Sequence, residues 1–397
     1  MRFTLLASLL LGAAQAVVVP SHPGPFSVAM RVKALTDHGR TDPFNGTTKR
    51  QVLLSVFVPI LDNIKCSQDV VSYMPPATAA SYGPLAESAG LPGALFSTFQ
   101  LEFCKPPQQN ESCRASKKRG PRFPLVFFSP GLGESRLLYS VTAKSIAAQG
   151  YVVVTVDHPY DAEVIEFPDG SVVRRNWTTG MEQQLTEFRA ADISFALTKL
   201  GQLTQNGGPL FRDLPTTHID LTRVIAMGHS LGGAAAALAV RQDRRIHGGI
   251  DLDGRLFSPV LESGLNTNSK KTNQPFMLLG REKHADEDAT WNQFWRVLSS
   301  GTGGSGGKGA MVAVKGTSHF SFADLPPLIQ ALGLPDEVKG QVEAMLGVVD
   351  GARMQRILAE VSASFFEWAF EGSYGRFEEA VGGFAEVVVR NSSFSAV

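Results

Sequence analysis

The sequence has few cysteines and no surplus of charge. Its 397 residues include three cysteines, with no Cys-x-x-Cys pair and no Cys/His set at metal-binding spacing, so no motif predicts a metal site. Lysine plus arginine and aspartate plus glutamate number 37 each, giving a formal charge of +0. This balance argues against a nucleic-acid-binding protein and leaves no charge-driven case for binding to anionic membranes.

Long hydrophobic runs are also missing. The leucine-rich run in MRFTLLASLLLGAAQA is too short to span a bilayer, and no other segment is long and apolar enough. An arginine precedes this run and Ala14-Gln15-Ala16 ends it, which is the pattern of a secretory signal peptide with its cleavage site. We therefore expect residues 1–16 to be a signal peptide and the protein to be secreted and extracellular.

Four Asn-x-Ser/Thr sequons fit this route, because each permits N-glycosylation of a secreted protein. Their asparagines are Asn45, Asn110, Asn176 and Asn391. In an oxidising compartment we expect two of the three cysteines to pair. Cys104 and Cys113 would close a small polar loop, but Cys66 could pair with either of them.

Apolar runs that alternate with helical patterns predict an α/β protein. The continuous apolar run at 123–129 suits a strand buried on both faces of a parallel sheet. Further strands are predicted within 52–60, 151–158, 223–227, 246–254, 274–282 and 311–320. We expect one domain at 17–397, with a mostly parallel, doubly wound sheet flanked by helices. It includes a flexible Gly-rich connector at 301–310 and a helical C-terminal region at 320–390.

The segment RVIAMGHSLGGAAAALAVR, residues 223–241, joins a strand pattern to a helix pattern through Gly-His-Ser-Leu-Gly. Strand, sharp turn and helix is the context in which a G-x-S-x-G motif forms a nucleophile elbow. Gly228 and Gly232 are expected to be small because strand and helix nearly touch there. We predict that Ser230 is a nucleophile; the alternative is a tight turn that carries an ordinary serine.

A serine hydroxyl needs a base, and the base needs an acid that orients it. His319 follows the last predicted strand, the final position in the Ser…Asp…His order of such sheets, and is the predicted base. His158 ends a strand and could line the pocket, whereas His229 lies inside the elbow and is turned aside. The remaining histidines after residue 200 are expected at the surface or as satisfied structural groups: His218, His247 and His284.

Two places could supply the acid. Asp253 ends the strand after the elbow, and Asp251 lies two residues earlier, so only Asp253 is expected to reach beyond the sheet edge. The rival carboxylates follow the next strand: Glu282, Asp286 and Asp288. The pattern alone leaves these two places equally favoured.

An oxyanion formed during ester cleavage needs two N–H donors. The backbone N–H of Leu231, directly after the serine, is the first candidate. The glycine-rich loop 130–133 follows an earlier strand, and the N–H of Leu132 is the natural second donor. The alternative for this loop is a plain strand-to-helix turn.

The segments PLVFFSPGLGESRLLYS, GHSLGG, GGIDLDG and GTSHFSFAD resemble the secreted, plasma-type platelet-activating factor acetylhydrolases of the α/β-hydrolase superfamily. With a weaker GPFSV match, the resemblance spans about residues 24–324, and the sequon-bearing loops suit a fungal homologue. It implies an α/β-hydrolase fold and a triad of Ser230, Asp253 and His319, which tips the choice of acid to Asp253. It also implies oxyanion donors at Leu132 and Leu231 and calcium-independent chemistry without a cofactor.

The resemblance implies release of a short sn-2 acyl group, acetate in the reference case, from ether or oxidised phospholipids, at a lipid surface or in solution. SPGLG, DLDG and the connector at 301–310 depart from the family pattern, which leaves the acyl and headgroup pockets open. A broader carboxylesterase or polyester hydrolase is one alternative. A non-catalytic ligand-binding protein on the same scaffold is another.

Overall fold

The central element of the fold is a nine-stranded β-sheet. The computed structural model describes residues 16–393 except 62–63, 107–120, 205–210, 212–213, 215–217, 264, 266–273 and 300–307.

The strands, in chain order, are β1 (Val17–Val18), β2 (Ser27–Thr41), β3 (Lys49–Ile60), β4 (Ser67–Ser72), β5 (Phe99–Lys105), β6 (Arg122–Ser129), β7 (Val152–Asp157), β8 (Val164–Glu166), β9 (Val172–Arg174), β10 (His218–His229), β11 (Gly248–Leu252), β12 (Phe276–Arg281), β13 (Gly309–Val314) and β14 (Val387–Ser392). The helices are α1 (Pro76–Ser81), α2 (Gly83–Ser88), α3 (Ser140–Ala147), α4 (Glu182–Leu203), α5 (Leu231–Gln242), α6 (Val260–Ser263), α7 (His284–Glu287), α8 (Ala289–Ser299), α9 (Leu325–Ala331), α10 (Asp336–Leu346), α11 (Gly351–Glu371) and α12 (Gly375–Gly382).

The order of strands in the large sheet is β14-β13-β12-β11-β10-β6-β7-β3-β2. The strands from β13 to β7 in this order run parallel, and β14, β3 and β2 are antiparallel additions at its two edges. Alternate residues of β6 enter two separate cores: Val126 and Phe128 pack with α3 and α11, and Leu125 and Phe127 pack with α4, α5 and α8. The prediction of a mostly parallel sheet with helices on both faces is therefore confirmed.

Both outermost strands of this sheet escaped prediction. β2 carries Arg31, Lys33 and Asp37. Charged side chains are typical of edge strands, and here they interrupt the apolar run by which a strand is recognised in a sequence. β14 lies at the end of the region at 320–390 that was expected to be helical, and helices α9 to α12 lie within that region. The connector predicted at 301–310 is too long, because Gly309 already begins β13; residues 301–307 lie outside the described residues.

A disulfide joins Cys66 to Cys104, which lie 38 residues apart beside the pairing of β4 with β5. This settles the choice of partner for Cys66; Cys113 and the sequon at Asn110 lie outside the described residues. Residues 1–15 of the predicted signal peptide also lie outside them. Within the described part of the chain, no helix has the length and apolar character needed to cross a membrane.

The elbow helix α5 comes very close to the backbone of β6. A Cβ on Gly232 would lie 2.0 Å from the carbonyl oxygen of Ser129, and a Cβ on Gly228 would lie 2.3 Å from the carbonyl oxygen of Gly232. At the following residue, a Cβ on Gly233 would lie 1.7 Å from a carboxylate oxygen of Asp251. Only glycine fits at these positions, so the sequence motif is a packing requirement as well as a chemical one.

Gly232→Ala is expected to destabilise the fold, because the obstructing atoms are backbone carbonyls that cannot turn aside. We expect the free energy of unfolding to fall by about 1–3 kcal/mol, as for other overpacked sites. The measurement is the thermal unfolding midpoint of the variant beside the wild type.

Gly340→Ala is the matched control, since no heavy atom lies within 4 Å of its added Cβ on helix α10. It should leave the midpoint unchanged or raise it, because alanine favours a helix over glycine by about 1 kcal/mol. An equal loss in both variants would contradict the close approach as the cause.

Candidate active site

Ser230 occupies the junction of β10 and α5 in a backbone conformation that L-amino acids rarely adopt. Its φ is 54° and its ψ is −124°. The N–H of Ser230 donates to the carbonyl of Leu252 on β11, at 2.8 Å. Such positive-φ residues cost about 1–3 kcal/mol and persist only where the surrounding structure fixes them. The strained turn predicted for the G-x-S-x-G motif is present.

The structure brings His319 and Asp253 together. Nδ1 of His319 lies 2.7 Å from Oδ2 of Asp253. Asp253 directly follows the end of β11. The next residue, Gly254, packs against the turn at Ser230, because a Cβ on Gly254 would lie 2.2 Å from the carbonyl oxygen of Ser230. The side chain of His319 is 38% exposed, whereas that of Asp253 is fully buried. An exposed imidazole on a buried carboxylate is the arrangement that a general base requires.

Two cationic side chains from the next strand also bind Asp253. Arg281, the last residue of β12, donates its backbone N–H to Oδ1 at 2.9 Å and its Nη1 to Oδ2 at 2.7 Å. His284 places Nδ1 2.9 Å from Oδ1. Neither residue was predicted as part of the site, because only carboxylates were expected at this strand end. The available signal was their position, since the carboxyl ends of neighbouring parallel strands meet at one edge.

These contacts set the protonation states of Asp253, His284 and His319. Burial favours the neutral acid, but hydrogen bonds from His284 and His319 hold the pKa of Asp253 well below its usual range. Burial opposes the charge of His284, yet the carboxylate of Asp253 at Nδ1 and that of Asp288, 3.6 Å from Nε2, raise its pKa to about 9. Burial also lowers the pKa of His319, and Asp253 only partly offsets this. His319 is therefore a neutral base beside an ionised carboxylate at neutral pH.

In the described structure the rival carboxylates are exposed or contact residues other than His319; Asp288 lies 3.6 Å from Nε2 of His284. Asp286 is exposed and pairs with Arg390, and Asp288 accepts the backbone N–H of Thr290. Glu282 is exposed. Asp251 is buried beneath Asp253, and burial raises its pKa well above the usual value. The geometry therefore favours Asp253 as the partner of His319.

Arg189 of α4 holds the glycine-rich loop that follows β6. Its guanidinium donates to the carbonyls of Pro130 and Gly131, and it forms an ion pair with buried Asp161. In a planar trans peptide the C=O and the following N–H point in opposite directions. Because the Gly131 carbonyl faces Arg189, the N–H of Leu132 faces away from it. This orientation suits an oxyanion donor.

His158 does not line the site. It is buried, with Nε2 3.0 Å from Ser129 Oγ and Nδ1 3.0 Å from Asp192. These contacts repeat the connectivity of a catalytic triad, but all three side chains are buried and Arg50 pairs with the aspartate. Ser129 directly precedes the glycine-rich loop, so this second set braces the loop from below. This set was not predicted, because Asp192 lies on the inner face of a helix expected to be apolar there and Arg50 lies at the start of strand β3.

The sequence led us to expect chemistry without a metal. Among the residues that the structure describes, no three His, Cys, Asp or Glu side chains are grouped so that they could hold a metal ion.

Comparison with known proteins shows the family to which the chain belongs. The family model "Platelet-activating factor acetylhydrolase, isoform II" matches residues 11–167 and 171–373. The chain belongs to this family. The protein from Arthroderma benhamiae named "Probable 1-alkyl-2-acetylglycerophosphocholine esterase" is 26% identical over 364 residues, with 89% of each chain covered. The platelet-activating factor acetylhydrolase of Cavia porcellus is 25% identical over 386 residues, covering 91% of this chain and 80% of that protein.

As a member of the platelet-activating factor acetylhydrolase family, the chain is a carboxylic ester hydrolase. Its structure is similar to that of a ferulic acid esterase from Streptomyces cinnamoneus, with a TM-score of 0.69 and 24% identity. That likeness covers 96% of this chain and 100% of the esterase. It confirms the predicted α/β-hydrolase fold.

Asp253→Asn is expected to lower the pKa of His319, because the Asp253 carboxylate has the largest of the effects that raise it. The pKa can be followed through the ring signals of His319 in an NMR titration. Glu282→Gln and Asp286→Asn remove carboxylates that face away from the site and should leave the titration unchanged. An unchanged pKa in Asp253→Asn, or a larger shift in either control, would contradict the assignment of the acid.

Proposed function

We propose that this chain is a secreted serine hydrolase that removes a short sn-2 acyl group, acetate in the simplest case, from platelet-activating-factor-like or oxidised phospholipids. The observation that carries the proposal is Ser230 in its strained turn, whose backbone packs against the residues on either side of Asp253, the partner of His319. The family match and the names of the relatives from Arthroderma benhamiae and Cavia porcellus support the substrate class.

In this proposal Ser230 Oγ attacks the ester carbonyl while Nε2 of His319 takes the hydroxyl proton. Asp253 holds Nδ1 of the ring, so that Nε2 is the free nitrogen, and it stabilises the imidazolium that forms. The imidazolium then gives its proton to the leaving alcohol. A water molecule, activated by the same imidazole, cleaves the acyl-enzyme and releases the acid.

The backbone N–H groups of Leu132 and Leu231 are the proposed oxyanion donors. Leu231 begins α5 directly after Ser230, and the carbonyls of Ser129 and Pro130 lie against Gly232, one residue farther along. This contact joins the two donor segments. Each such donor typically lowers the barrier by about 2.7–4 kcal/mol. The chemistry needs no cofactor, and the proposal includes none.

Secretion and glycosylation belong to the same proposal. The N-terminal pattern at 1–16 and the disulfide between Cys66 and Cys104 support an oxidising route. Asn176 and Asn391 are exposed, and the amide nitrogen of Asn391 lies 3.8 Å from the sulfur of Met311. By contrast, the Asn45 amide donates to the hydroxyl of Tyr160 and is half-buried.

The proposal predicts that the wild type hydrolyses short-acyl phosphatidylcholines faster than long-acyl ones. Ser230→Ala should lose on the order of 10⁶-fold in kcat, because the triad acts as a unit. The same change should abolish labelling by a fluorophosphonate. Turnover is measured on short- and long-acyl phosphatidylcholines beside p-nitrophenyl esters and a polyester film.

Each alternative function predicts a different result in these assays. Activity confined to the non-phospholipid esters would replace the proposal with a broader carboxylesterase or polyester hydrolase. A wild type that neither turns over esters nor reacts with the fluorophosphonate would be a ligand-binding protein. Substantial activity in Ser230→Ala would mean that another residue is the nucleophile.

A further inference from the structure

A chain of buried polar groups runs beneath the site, and its centre is Tyr139. Its hydroxyl lies 3.1 Å from the N–H of Gly131, which donates to it, and 2.7 Å from Nδ1 of His229. It also forms a short hydrogen bond with the carboxylate of Glu134. The Tyr139 ring is fully buried against Phe128. The Tyr139 hydroxyl therefore contacts Gly131 of the glycine-rich loop, Glu134 directly after that loop, and His229 of the elbow.

The other end of the chain reaches the loop that carries the base. His229, directly before Ser230, is fully buried, and its Nε2 lies 3.0 Å from the backbone carbonyl of His319. The two histidine rings have centroids 4.5 Å apart. A carbonyl can only accept a hydrogen bond, so Nε2 of His229 must carry a proton.

The proton on Nε2 of His229 limits where the other protons of the hydrogen-bonded chain can lie. With Glu134 ionised, Tyr139 donates to its carboxylate and His229 donates from Nδ1 to the phenol oxygen, which makes His229 an imidazolium. With Glu134 neutral, its carboxyl group donates to the phenol oxygen, Tyr139 donates to Nδ1 of His229, and His229 is neutral. Both arrangements hold the same number of protons and no net charge, so the set is satisfied although it is buried.

We propose that Tyr139 and His229 are positioning residues that tie the oxyanion loop to the backbone of His319 through one hydrogen-bonded chain. The inference rests on the proposed function, because it assigns these residues a part in that reaction. It explains why an elbow that needs glycine on either side of its central three residues also has a buried histidine before its serine.

The loop end of the chain fixes the proposed oxyanion donor. The N–H of Gly131 donates to both Glu134 and Tyr139, each at 3.1 Å, while its carbonyl is held by Arg189. A Cβ on Gly131 would lie 2.2 Å from the Glu134 carboxylate, so the loop is drawn close to that side chain. With both sides of Gly131 held, the N–H of Leu132 has a defined direction.

The base end of the chain also acts through charge. Burial opposes ionisation of Glu134, but its hydrogen bond to His229 and the charge of that ring hold the pKa of Glu134 below its usual value. The charged and titratable groups around the His319 ring are Asp253, His229, Glu134 and also Arg281, whose Nη1 donates to the same Oδ2 of Asp253 that Nδ1 of His319 contacts. Burial lowers the pKa of His319 first, and a charged His229 lowers it further, against the opposing effect of Asp253 and Glu134. A base with a lowered pKa stays neutral, and active, to lower pH.

The test compares Tyr139→Phe and His229→Gln with the wild type, using kcat and KM for p-nitrophenyl acetate across a pH range. Tyr139→Phe should lower kcat about tenfold with little change in KM, since one positioning hydrogen bond is worth about 1–1.5 kcal/mol. His229→Gln keeps a donor within reach of the His319 carbonyl but carries no charge. It should move the acidic limb of the kcat/KM profile to higher pH.

Tyr151→Phe is the matched control. Its buried hydroxyl donates to the carbonyl of Ala363 at 3.2 Å, on the aromatic face of α11 and remote from the site. It should lose stability like Tyr139→Phe but keep the wild-type kcat and pH profile. Thermal unfolding midpoints of all the variants separate a loss of folded protein from a loss of turnover.

Wild-type kcat and an unmoved acidic limb in both variants would overturn the inference. Should Tyr139→Phe not fold, ¹⁵N ring spectra of the wild type still test it. Retention of the Nε2 proton of His229 through the pH range supports the chain, and its loss in that range overturns it. A wild type without esterase activity would instead defeat the proposed function, so the two failures are distinguishable.

Discussion

The near-contact of two backbones at Gly228 and Gly232 is the constraint on which the rest of the site depends. It allows β10 to turn sharply into α5 under the end of β6, and it leaves Ser230 at positive φ. The same contact places the glycine-rich loop beside the first turn of the helix. Nucleophile and proposed oxyanion donors are therefore fixed by backbone packing, which tolerates little displacement. A larger residue at either glycine would separate them.

Buried charges surround this turn on both sides. Arg189 and Asp161 hold the loop after β6, and Arg281 with His284 holds Asp253 on the other side. Arg189, Asp161 and Asp253 each have an opposite charge and further hydrogen bonds, which burial requires if it is not to be strongly destabilising. Losing one partner would leave the other uncompensated. Such networks are weak evidence for stability, and their value here is that they orient the groups that meet at the sheet edge.

Much of this arrangement could be predicted from the sequence, because its signals are local. The strand-turn-helix pattern around Ser230 is continuous in sequence, and Asp253 and His319 each follow a strand whose carboxyl end lies at one edge. The choice between Asp253 and the later carboxylates needed the family resemblance. The geometry now pairs Asp253 with His319, and the catalytic roles remain proposals.

The parts that escaped prediction have no local signal. Tyr139, Arg189 and His284 act through partners distant in sequence, and their segments resemble ordinary helices and turns. The charged edge strand β2 lacks the apolar run by which the central strands were found, and β14 follows a long helical region. Tertiary packing decides these elements, and a single sequence does not display it.

The most direct test of the central claim is a crystal structure of the protein after reaction with a short-chain phosphonate ester. The account predicts a covalent bond from phosphorus to Ser230 Oγ. It also predicts that the phosphoryl oxygen accepts the backbone N–H groups of Leu132 and Leu231, at about 2.7–3.1 Å. A phosphonate bound to another side chain, or an oxygen turned away from both amides, would contradict it.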